Sequence, residues 1–291
     1  SGELDMQDSV IVSAVRTPTG KFLGALQSLS APALGALVVR EAVRRAGITP
    51  EMVDECVMGN VLSAGAGQAP ARQAALVAGL SDRVAALTIN MVCGSGLRAV
   101  MLASQSIASG DADIVVAGGM ESMSRAPYLL TEARQGFRMG HGSVTDSMIH
   151  DGLWCPFEQQ HMGLAGETIA GEYRISRQEQ DAFAMRSHQR TVDAQKTGKF
   201  KDEVVPMIIE PDFDEVIEYD FGPRDGQSME SLGKLKPFFD RENGTVTPGN
   251  ACPITDGAVA LILMSEEKAK AEGRQILGLI SGFTFSGCEP K

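Results

Sequence analysis

The sequence predicts an α/β fold with a mixed, mainly parallel sheet between layers of helices. Short apolar runs with strand character alternate with helical patterns through the first 119 residues. The alternation then stops over more than 100 residues and returns near residue 257. Alternating strands and helices are typical of βαβ units. We therefore predict a layered α/β/α unit, residues 6–119 and 244–273, into which residues 120–243 are inserted as a separate loop domain.

Residues that start or stop secondary structure bound most of the predicted elements. Pro18 ends the first strand, Gly47 ends the first helix, and Ser176 with Glu179 forms a capping box for a helix that runs to about Lys196. We predict strands at "SVIVSAVRTP", "ECVMGNVL", "VAALTINMV", "DIVVAGG", "GAVALILMS" and "QILGLISGF". The other predicted helices are "APALGALVVREAVRRAG", "APARQAALVAGL", "GSGLRAVMLASQSIASG" and "EEKAKAEG".

Composition excludes several classes of protein. The formal net charge is −11, which disfavours nucleic-acid binding and means that an anionic ligand needs local positive charge. No apolar run reaches the roughly 20 residues of a membrane helix, and the first residues do not resemble a signal peptide. Five cysteines without a C-x-x-C pair and four histidines without ligand spacing predict no disulfide framework and no metal site. A reducing cytoplasm fits this cysteine usage.

Cys93 is the candidate catalytic residue. In "INMVCGSGLRAV" it stands where a predicted strand ends and a predicted helix begins. The first turn of a helix carries unpaired N–H groups and partial positive charge, which favour a thiolate. Gly94 and Gly96 leave room for a substrate carbonyl, whose developing oxyanion the nearby N–H groups could hold. Taken alone, the motif is equally compatible with a buried core thiol.

The sequence resembles the thiolase family, in particular its acetyl-CoA acetyltransferase branch. "INMVCGSGLRAV", "DIVVAGGMESMSRAPYLL" and "GTVTPGN" followed by "TDGA" carry the resemblance, which begins near Val10. "HMGLAGETIA", "ISRQEQDAFAMRSHQR" and "KLKPFF" are similar to the tetrameric branch. The resemblance implies an acyl-enzyme on Cys93, formed while two acetyl-CoA condense to acetoacetyl-CoA or during the reverse thiolysis. It also implies two similar five-stranded halves, of which residues 274–291 begin the second.

The resemblance also assigns a surface for coenzyme A, which is a substrate here and not a cofactor; no cofactor is expected. Arg224 matches an arginine against the adenine, with a solvated charged face as the alternative. His161 matches a residue of the pantetheine channel, with a structural histidine as the alternative. Cys252 stands where many relatives have serine, so its contact should be weaker; a second nucleophile is less favoured. The full predicted surface is Leu153, His161, Met162, Arg224, Ser231, Leu235, Phe238, Ala251 and Cys252.

Three motifs of the family do not occur in these 291 residues: N-E-A-F, G-H-P and C-x-G-G-G. They carry an asparagine, the histidine that activates the nucleophile, and a second cysteine. We therefore expect the chain alone not to turn over acetyl-CoA. It could be a fragment, one half of a split enzyme, or a non-catalytic CoA-binding or scaffolding protein. Within the enzymes, the alternative is a longer-chain 3-ketoacyl-CoA thiolase. The family also implies a homodimer or homotetramer, with "APARQAALVAGL" to "INMVCGSG" near the subunit contact.

Overall fold

The computed structural model describes residues 7–209 and 216–290. Met6 and Lys291, which bound the first and last predicted segments, lie outside the described residues, as do residues 210–215 of the predicted insertion. Nothing within the described ranges combines the helix length and hydropathy that a bilayer span requires.

The described residues form the following elements. The strands are β1 (Ser9–Arg16), β2 (Gly20–Lys21), β3 (Glu55–Gly59), β4 (Ala85–Ile89), β5 (Ile114–Ser122), β6 (Tyr128–Leu129), β7 (Thr145–Asp146), β8 (Trp154–Cys155), β9 (Gln160–His161), β10 (Met207–Ile208), β11 (Val216–Ile217), β12 (Thr255–Ser265) and β13 (Gly278–Leu279). The helices are α1 (Ala31–Ala46), α2 (Pro70–Ala78), α3 (Ser95–Ala108), α4 (Met162–Glu172), α5 (Arg177–Lys196), α6 (Met229–Gly233) and α7 (Glu266–Ala271).

The main sheet has the strand order β13-β1-β12-β5-β3-β4, with β2 also paired to β12. β3 runs parallel to both β4 and β5, whereas β12 runs antiparallel to β1 and β5. Four of its five long strands therefore point the same way, which confirms a mixed, mainly parallel sheet; the two-residue strands β2 and β13 extend it. β13 pairs with the outer edge of β1 and points in the same direction as β12.

Two buried clusters separate the sheet from its helices. α1, α2 and α7 cover one face, where Leu34, Val38 and Met58 belong to the larger cluster. α3 covers the other face with Ala99, Ala103 and a fully buried Ile107. Small side chains on α3 allow it to lie close to the glycine-rich end of β5. The predicted α/β/α layering is confirmed.

Most predicted elements are present, and the differences concern their ends. β4 stops at Ile89, before the predicted end at Val92, because the chain must turn there into α3. β5 continues to Ser122, beyond the predicted end at Gly119, because β12 pairs with it over its whole length. The predicted α5 and its capping box are confirmed. α4 was not predicted, since its mixture of glycine and polar residues masks the helical period. The predicted last strand is reduced to β13.

The backbones of β5 and β12 approach each other closely at Gly118. A Cβ atom at Gly118 would lie 2.0 Å from the backbone oxygen of Val259. We expect Gly118→Ala to lower the free energy of unfolding by about 2–3 kcal/mol, measured by urea denaturation, because the backbone cannot yield as a side chain can. Gly171→Ala is the matched control: it meets nothing within 4 Å and lies in α4. Equal stability of the two variants would contradict this packing.

Candidate active site

Cys93 lies in the short turn between β4 and α3, with its side chain exposed. Val92 has φ +48°, a left-handed conformation that a β-branched residue adopts only under strain. Ser95 fixes this conformation, since its hydroxyl donates to the Val92 carbonyl (2.6 Å) and accepts the Met91 N–H (2.8 Å). Asn90 accepts the Val92 N–H with its side-chain oxygen (2.9 Å). The turn thereby presents Cys93 at the N-terminus of α3.

Gly59 allows α3 to start where it does. A Cβ atom at Gly59, the last residue of β3, would lie 2.7 Å from the Cβ of Ser95 and 2.9 Å from the nitrogen of Gly96. A Cβ atom at Gly119 of β5 would lie 3.4 Å from the Cα of Gly96, which is ordinary van der Waals contact. Any side chain at Gly59 would push the first turn of α3 away from the sheet, and Cys93 would move with it.

A cavity of about 400 Å³ opens in front of Cys93, at the carboxyl edge of β3 and β5. Leu153, Gly119 and Val259 are among the residues that line it. Leu153 is the last residue of a π-helical turn, Met148–Leu153, which the inserted segment contributes. The cavity therefore lies between the layered unit and the insertion. No histidine in the described ranges lines it.

Two carboxylates in the wall of this cavity escaped the sequence analysis. Glu121 accepts hydrogen bonds from the N–H groups of Val61 (2.9 Å) and Leu62 (3.1 Å) and from the amide of Asn60 (2.8 Å). Burial raises the pKa of the Glu121 carboxyl, while the two backbone donors oppose that rise. These bonds hold the segment after β3 against β5. "MES" gave no signal for this role, because a carboxylate after a strand is common at sheet edges.

Asp256 is the second such carboxylate and is almost fully buried. It accepts the backbone N–H (2.9 Å) and the hydroxyl (2.6 Å) of Ser124. The Ser124 hydroxyl in turn accepts the N–H of Leu23. Asp256 thus ties the start of β12 to the chain that leaves β5. Both carboxylates therefore hold the surrounding chain in place. Cys93 is the only thiol among the described residues that line this cavity.

His161 ends the β8–β9 hairpin that follows Leu153 and begins α4. Its Nδ1 accepts the N–H of Gly163 (3.0 Å), which caps the helix, and its ring stacks on Phe239 at a centroid distance of 4.8 Å. Because Nδ1 is an acceptor, the neutral ring carries its proton on Nε2. Burial lowers the pKa of His161, which favours this neutral form. Met162 follows, half exposed.

A second cavity, of about 340 Å³, contains positive charge. Lys21, Arg224 and Ala251 line it, together with His188 of α5. His188 accepts the backbone N–H of Arg224 through Nδ1 (3.1 Å). Burial, and then the charge of Arg224, lower the pKa of His188. Neither Lys21 nor His188 was predicted as a site residue: Lys21 belongs to no recognisable motif, and His188 lies in a helical stretch whose pattern indicates no role for it.

The remaining predicted residues lie around α6 and the segment after it. Ser231 is exposed, and its hydroxyl donates to the Ser228 carbonyl within the N-terminal cap of α6. Leu235 packs against Gly249. Phe238 is exposed, and its N–H donates to the Val246 carbonyl (3.0 Å). Cys252 is exposed, and its thiol donates to the neighbouring Pro253 carbonyl (3.5 Å).

The structure groups the predicted site residues in part. Of the ten, Cys93 and Leu153 share the first cavity, and Arg224 and Ala251 share the second. The other six line neither of these two cavities. They are Met162, His161, Ser231, Leu235, Phe238 and Cys252. No group of three or more His, Cys, Asp or Glu side chains placed to hold a metal ion occurs within the described ranges.

Two backbone N–H groups near Cys93 are already bonded. The N–H groups of Gly94 and Ser95 donate to the carbonyls of Met91 and Val92, both at 3.1 Å. These two groups form the turn that presents the thiol, so they are not free to hold an oxyanion.

The other four cysteines differ from Cys93 in their surroundings. Cys56 is fully buried in β3, and burial raises its pKa to about 12. Cys155 is half buried in β8. Cys252 and Cys288 are exposed.

A thiol at a strand–helix junction, facing a cavity between a layered α/β unit and an inserted segment, is an arrangement typical of enzymes with a cysteine nucleophile. The chain matches the thiolase N-terminal domain over residues 9–267. It is 50% identical to an acetyl-CoA acetyltransferase of Cupriavidus necator over 98% of this chain and 73% of that protein. It is 48% identical to one of Pseudomonas aeruginosa over 98% of this chain and 73% of the relative.

A solved structure shows the same fold. The structure of acetyl-CoA acetyltransferase from Syntrophomonas wolfei superimposes with a TM-score of 0.91 at 40% identity, over 94% of this chain and 69% of that one. The chain therefore belongs to the thiolase family.

Alkylation kinetics test the assignment of Cys93. With limiting iodoacetamide at pH 7, we expect peptide mapping to show that Cys93 reacts several-fold faster than Cys252 and Cys288, because it lies at a helix N-terminus. Cys252 and Cys288 serve as internal references, since both are exposed, and Cys56 should react only after unfolding. Faster labelling of Cys252 than of Cys93 in the folded protein would contradict the assignment.

Proposed function

We propose that this protein transfers acyl groups between CoA thioesters through an acyl-enzyme on Cys93, with acetyl-CoA as the acyl donor. The observation that carries the proposal is the exposed thiol of Cys93 at the N-terminus of α3, facing a cavity large enough for an acyl group. Membership of the thiolase family supports it, as does the name acetyl-CoA acetyltransferase that the Cupriavidus and Pseudomonas relatives carry.

The first chemical step needs only the thiolate and the thioester. The sulfur of Cys93 attacks the thioester carbonyl, and a tetrahedral intermediate forms. Its collapse breaks the bond between the carbonyl carbon and the CoA sulfur, so the acyl group becomes a thioester of Cys93. CoA leaves as a thiolate and takes up the proton that the Cys93 thiol lost on ionisation. No cofactor takes part in this step. In condensation the acetyl carbon leaves the Cys93 sulfur and bonds to the methyl carbon of a second acetyl-CoA, and the proton that this methyl group loses restores the Cys93 thiol. In thiolysis the bond between C2 and C3 of acetoacetyl-CoA breaks instead: C3 forms the thioester with Cys93, C2 takes up the thiol proton and leaves as acetyl-CoA, and CoA then takes the acetyl group from Cys93.

The CoA part of the substrate extends from the cavity at Cys93 toward the insertion. Leu153 and His161 stand at the two ends of a segment that folds back as the β8–β9 hairpin. His161 can donate from Nε2 to an amide carbonyl of pantetheine. Lys21 and Arg224 supply the positive charge that phosphate groups require on a chain with a net charge of −11. Met162, Ser231, Leu235, Phe238, Ala251 and Cys252 complete the proposed surface.

The acyl group that we propose is acetyl. The names of the relatives favour it over the longer acyl chains of 3-ketoacyl-CoA thiolases. A series of acyl-CoA donors of increasing length measures the preference, and faster acylation of Cys93 by long-chain donors would select the alternative. We place the reaction in the cytoplasm, which keeps the catalytic thiol reduced.

The proposed partner in assembly is a second copy of the chain. β4 is an edge strand that pairs only with β3 among the described elements. It carries an exposed Leu87, and the turn after it exposes Met91 and Val92. Apolar edge strands pair readily with another chain. We therefore propose a homodimer, or a tetramer built from two dimers, in which β4 lies at the subunit contact.

Mass spectrometry tests the acyl-enzyme. We expect incubation with acetyl-CoA to add one acetyl group to the protein, and peptide mapping to place it on Cys93, because this thiol faces the cavity. Cys93→Ala should remain unmodified, whereas Cys288→Ala, which lies outside both cavities, should react like the unaltered protein. CoA binding without acylation of Cys93 would favour a CoA-binding or scaffolding protein instead.

Cys252→Ser tests the CoA surface. A hydroxyl donates and accepts hydrogen bonds better than a thiol, so we expect CoA to bind as well or better, with a gain of at most about tenfold. Calorimetric titration with CoA measures the change. A loss of affinity greater than tenfold would mean that Cys252 has a role in the site that a hydroxyl cannot fulfil.

Light scattering tests the assembly. We expect Leu87→Glu to shift the protein toward monomer at micromolar concentration, because it places charge on the paired edge. Leu277→Glu, at an exposed position on the opposite side of the sheet, is the control and should leave the molar mass unchanged. A monomer in the unaltered protein, or an effect of Leu277→Glu alone, would contradict the proposed contact.

A further inference from the structure

Asp181 is a buried carboxylate in the insertion that the acyl transfer does not use. It lies in the first turns of α5 and is 2% exposed. It lines neither the cavity at Cys93 nor the second cavity. A buried carboxylate is costly unless every oxygen has a partner, so its contacts indicate what it holds in place.

The two oxygens of Asp181 serve two different segments. Oδ2 accepts from Nε of Arg177 at 2.8 Å, and Oδ1 accepts from Nδ2 of Asn250 at 2.9 Å. Arg177 then donates through Nη2 to the carbonyls of Leu232 (2.7 Å) and Leu235 (2.9 Å). One carboxylate thus connects the end of α6 to the segment around Asn250.

Asn250 shapes the second segment. Its Nδ2 also donates to the Thr245 carbonyl (3.0 Å), and its Oδ1 accepts the Thr247 N–H (2.7 Å). These bonds close the turn that ends at Ala251. Gly249 of the turn lies directly against Leu235, since a Cβ atom there would be 2.5 Å from a methyl carbon of Leu235. The two segments joined through Asp181 therefore also contact each other.

The proposed CoA surface depends on both segments. Leu235 lies in the segment that Arg177 holds, and Ala251 lies at the end of the turn that Asn250 closes. We propose that Asp181 is a positioning residue for the CoA part of the substrate. It acts through Arg177 and Asn250, which keep Leu235 and Ala251 in their relative positions. This inference rests on the proposed function and extends it to a residue that does not touch the substrate.

Comparing acetyl-CoA with a short thioester distinguishes a loss of CoA positioning from a general loss of stability. S-acetyl-N-acetylcysteamine contains the thioester and a fragment of pantetheine, and it ends well before the adenine. It can acylate Cys93 without the Leu235–Ala251 surface. A variant of the Asp181 network should therefore lose reactivity with acetyl-CoA and keep reactivity with the short thioester.

Asp181→Asn is the first variant. An amide of the same shape turns one acceptor into a donor, which then faces a donor of Arg177 or Asn250. Arg177→Lys is the second variant and keeps the buried carboxylate paired with a positive charge. A lysine ammonium at that position lacks the guanidinium fork that reaches two carbonyls. Asp113→Asn is the control, since it removes an aspartate that bonds Ser265 and Lys268 at the opposite end of β5.

The experiment measures acylation of Cys93 by both thioesters and binding of CoA by calorimetry, on variants whose folding is checked by circular dichroism. For Asp181→Asn we expect CoA affinity and the acylation rate constant with acetyl-CoA to fall about tenfold, the equivalent of one hydrogen bond to a charged group. Arg177→Lys should show a smaller loss in the same direction. Acylation by the short thioester should change less than about twofold in both variants, and Asp113→Asn should resemble the unaltered protein in every assay.

Each other outcome has a definite meaning. Equal losses with both thioesters in either variant would overturn the proposal, because they would indicate a general structural role. Unchanged CoA affinity in folded Asp181→Asn or Arg177→Lys would overturn it as well. If the unaltered protein neither binds CoA nor becomes acylated at Cys93, the proposed function fails first, and that result is distinct from a failure of the variants alone.

Discussion

The close approach of α3 to the ends of β3 and β5 is the constraint on which the site depends. Gly59 leaves the space that the first turn of α3 occupies, and Ser95 locks the strained turn before it. Cys93 lies exposed in that turn. The same arrangement places the thiol at the N-terminus of the helix.

The inserted segment is held together differently from the layered unit. α4 buries only Ala170, and α5 buries only Asp181 and Val192. Apolar packing of this extent contributes little to the stability of the inserted segment. Hydrogen bonds from side chains to the backbone therefore fix its loops. Glu167 of α4 accepts from the N–H groups of Thr245 and Val246. Asp181 of α5 accepts from Asn250, a few residues further along the same segment. Side chains that contact no substrate thereby determine the shape of the proposed CoA surface.

The sequence predicted the layered unit well, because its strands and helices have clear periods and clear ends. The capping box at Ser176 and the glycine after α1 are local signals that the structure confirms. Cys93 could be found because a thiol between a strand and glycines is a local pattern. Glu121, Asp181 and Asp256 could not, since their roles depend on partners distant in the chain: Asn250 lies 69 residues after Asp181. The missed α4 shows the same limit, because its glycines weaken the helical pattern and tertiary contacts decide its structure.

Gly59→Ala tests the central claim most directly. Its Cβ atom would lie 2.7 Å from the Cβ of Ser95, so the first turn of α3 must shift. The substitution leaves Cys93 itself unchanged. The measurement is the alkylation rate of Cys93 relative to that of Cys288 in the folded variant, with Gly171→Ala as the control. The account predicts that the advantage of Cys93 over Cys288 disappears in Gly59→Ala and persists in Gly171→Ala. A folded Gly59→Ala protein in which Cys93 keeps its full advantage would contradict the account.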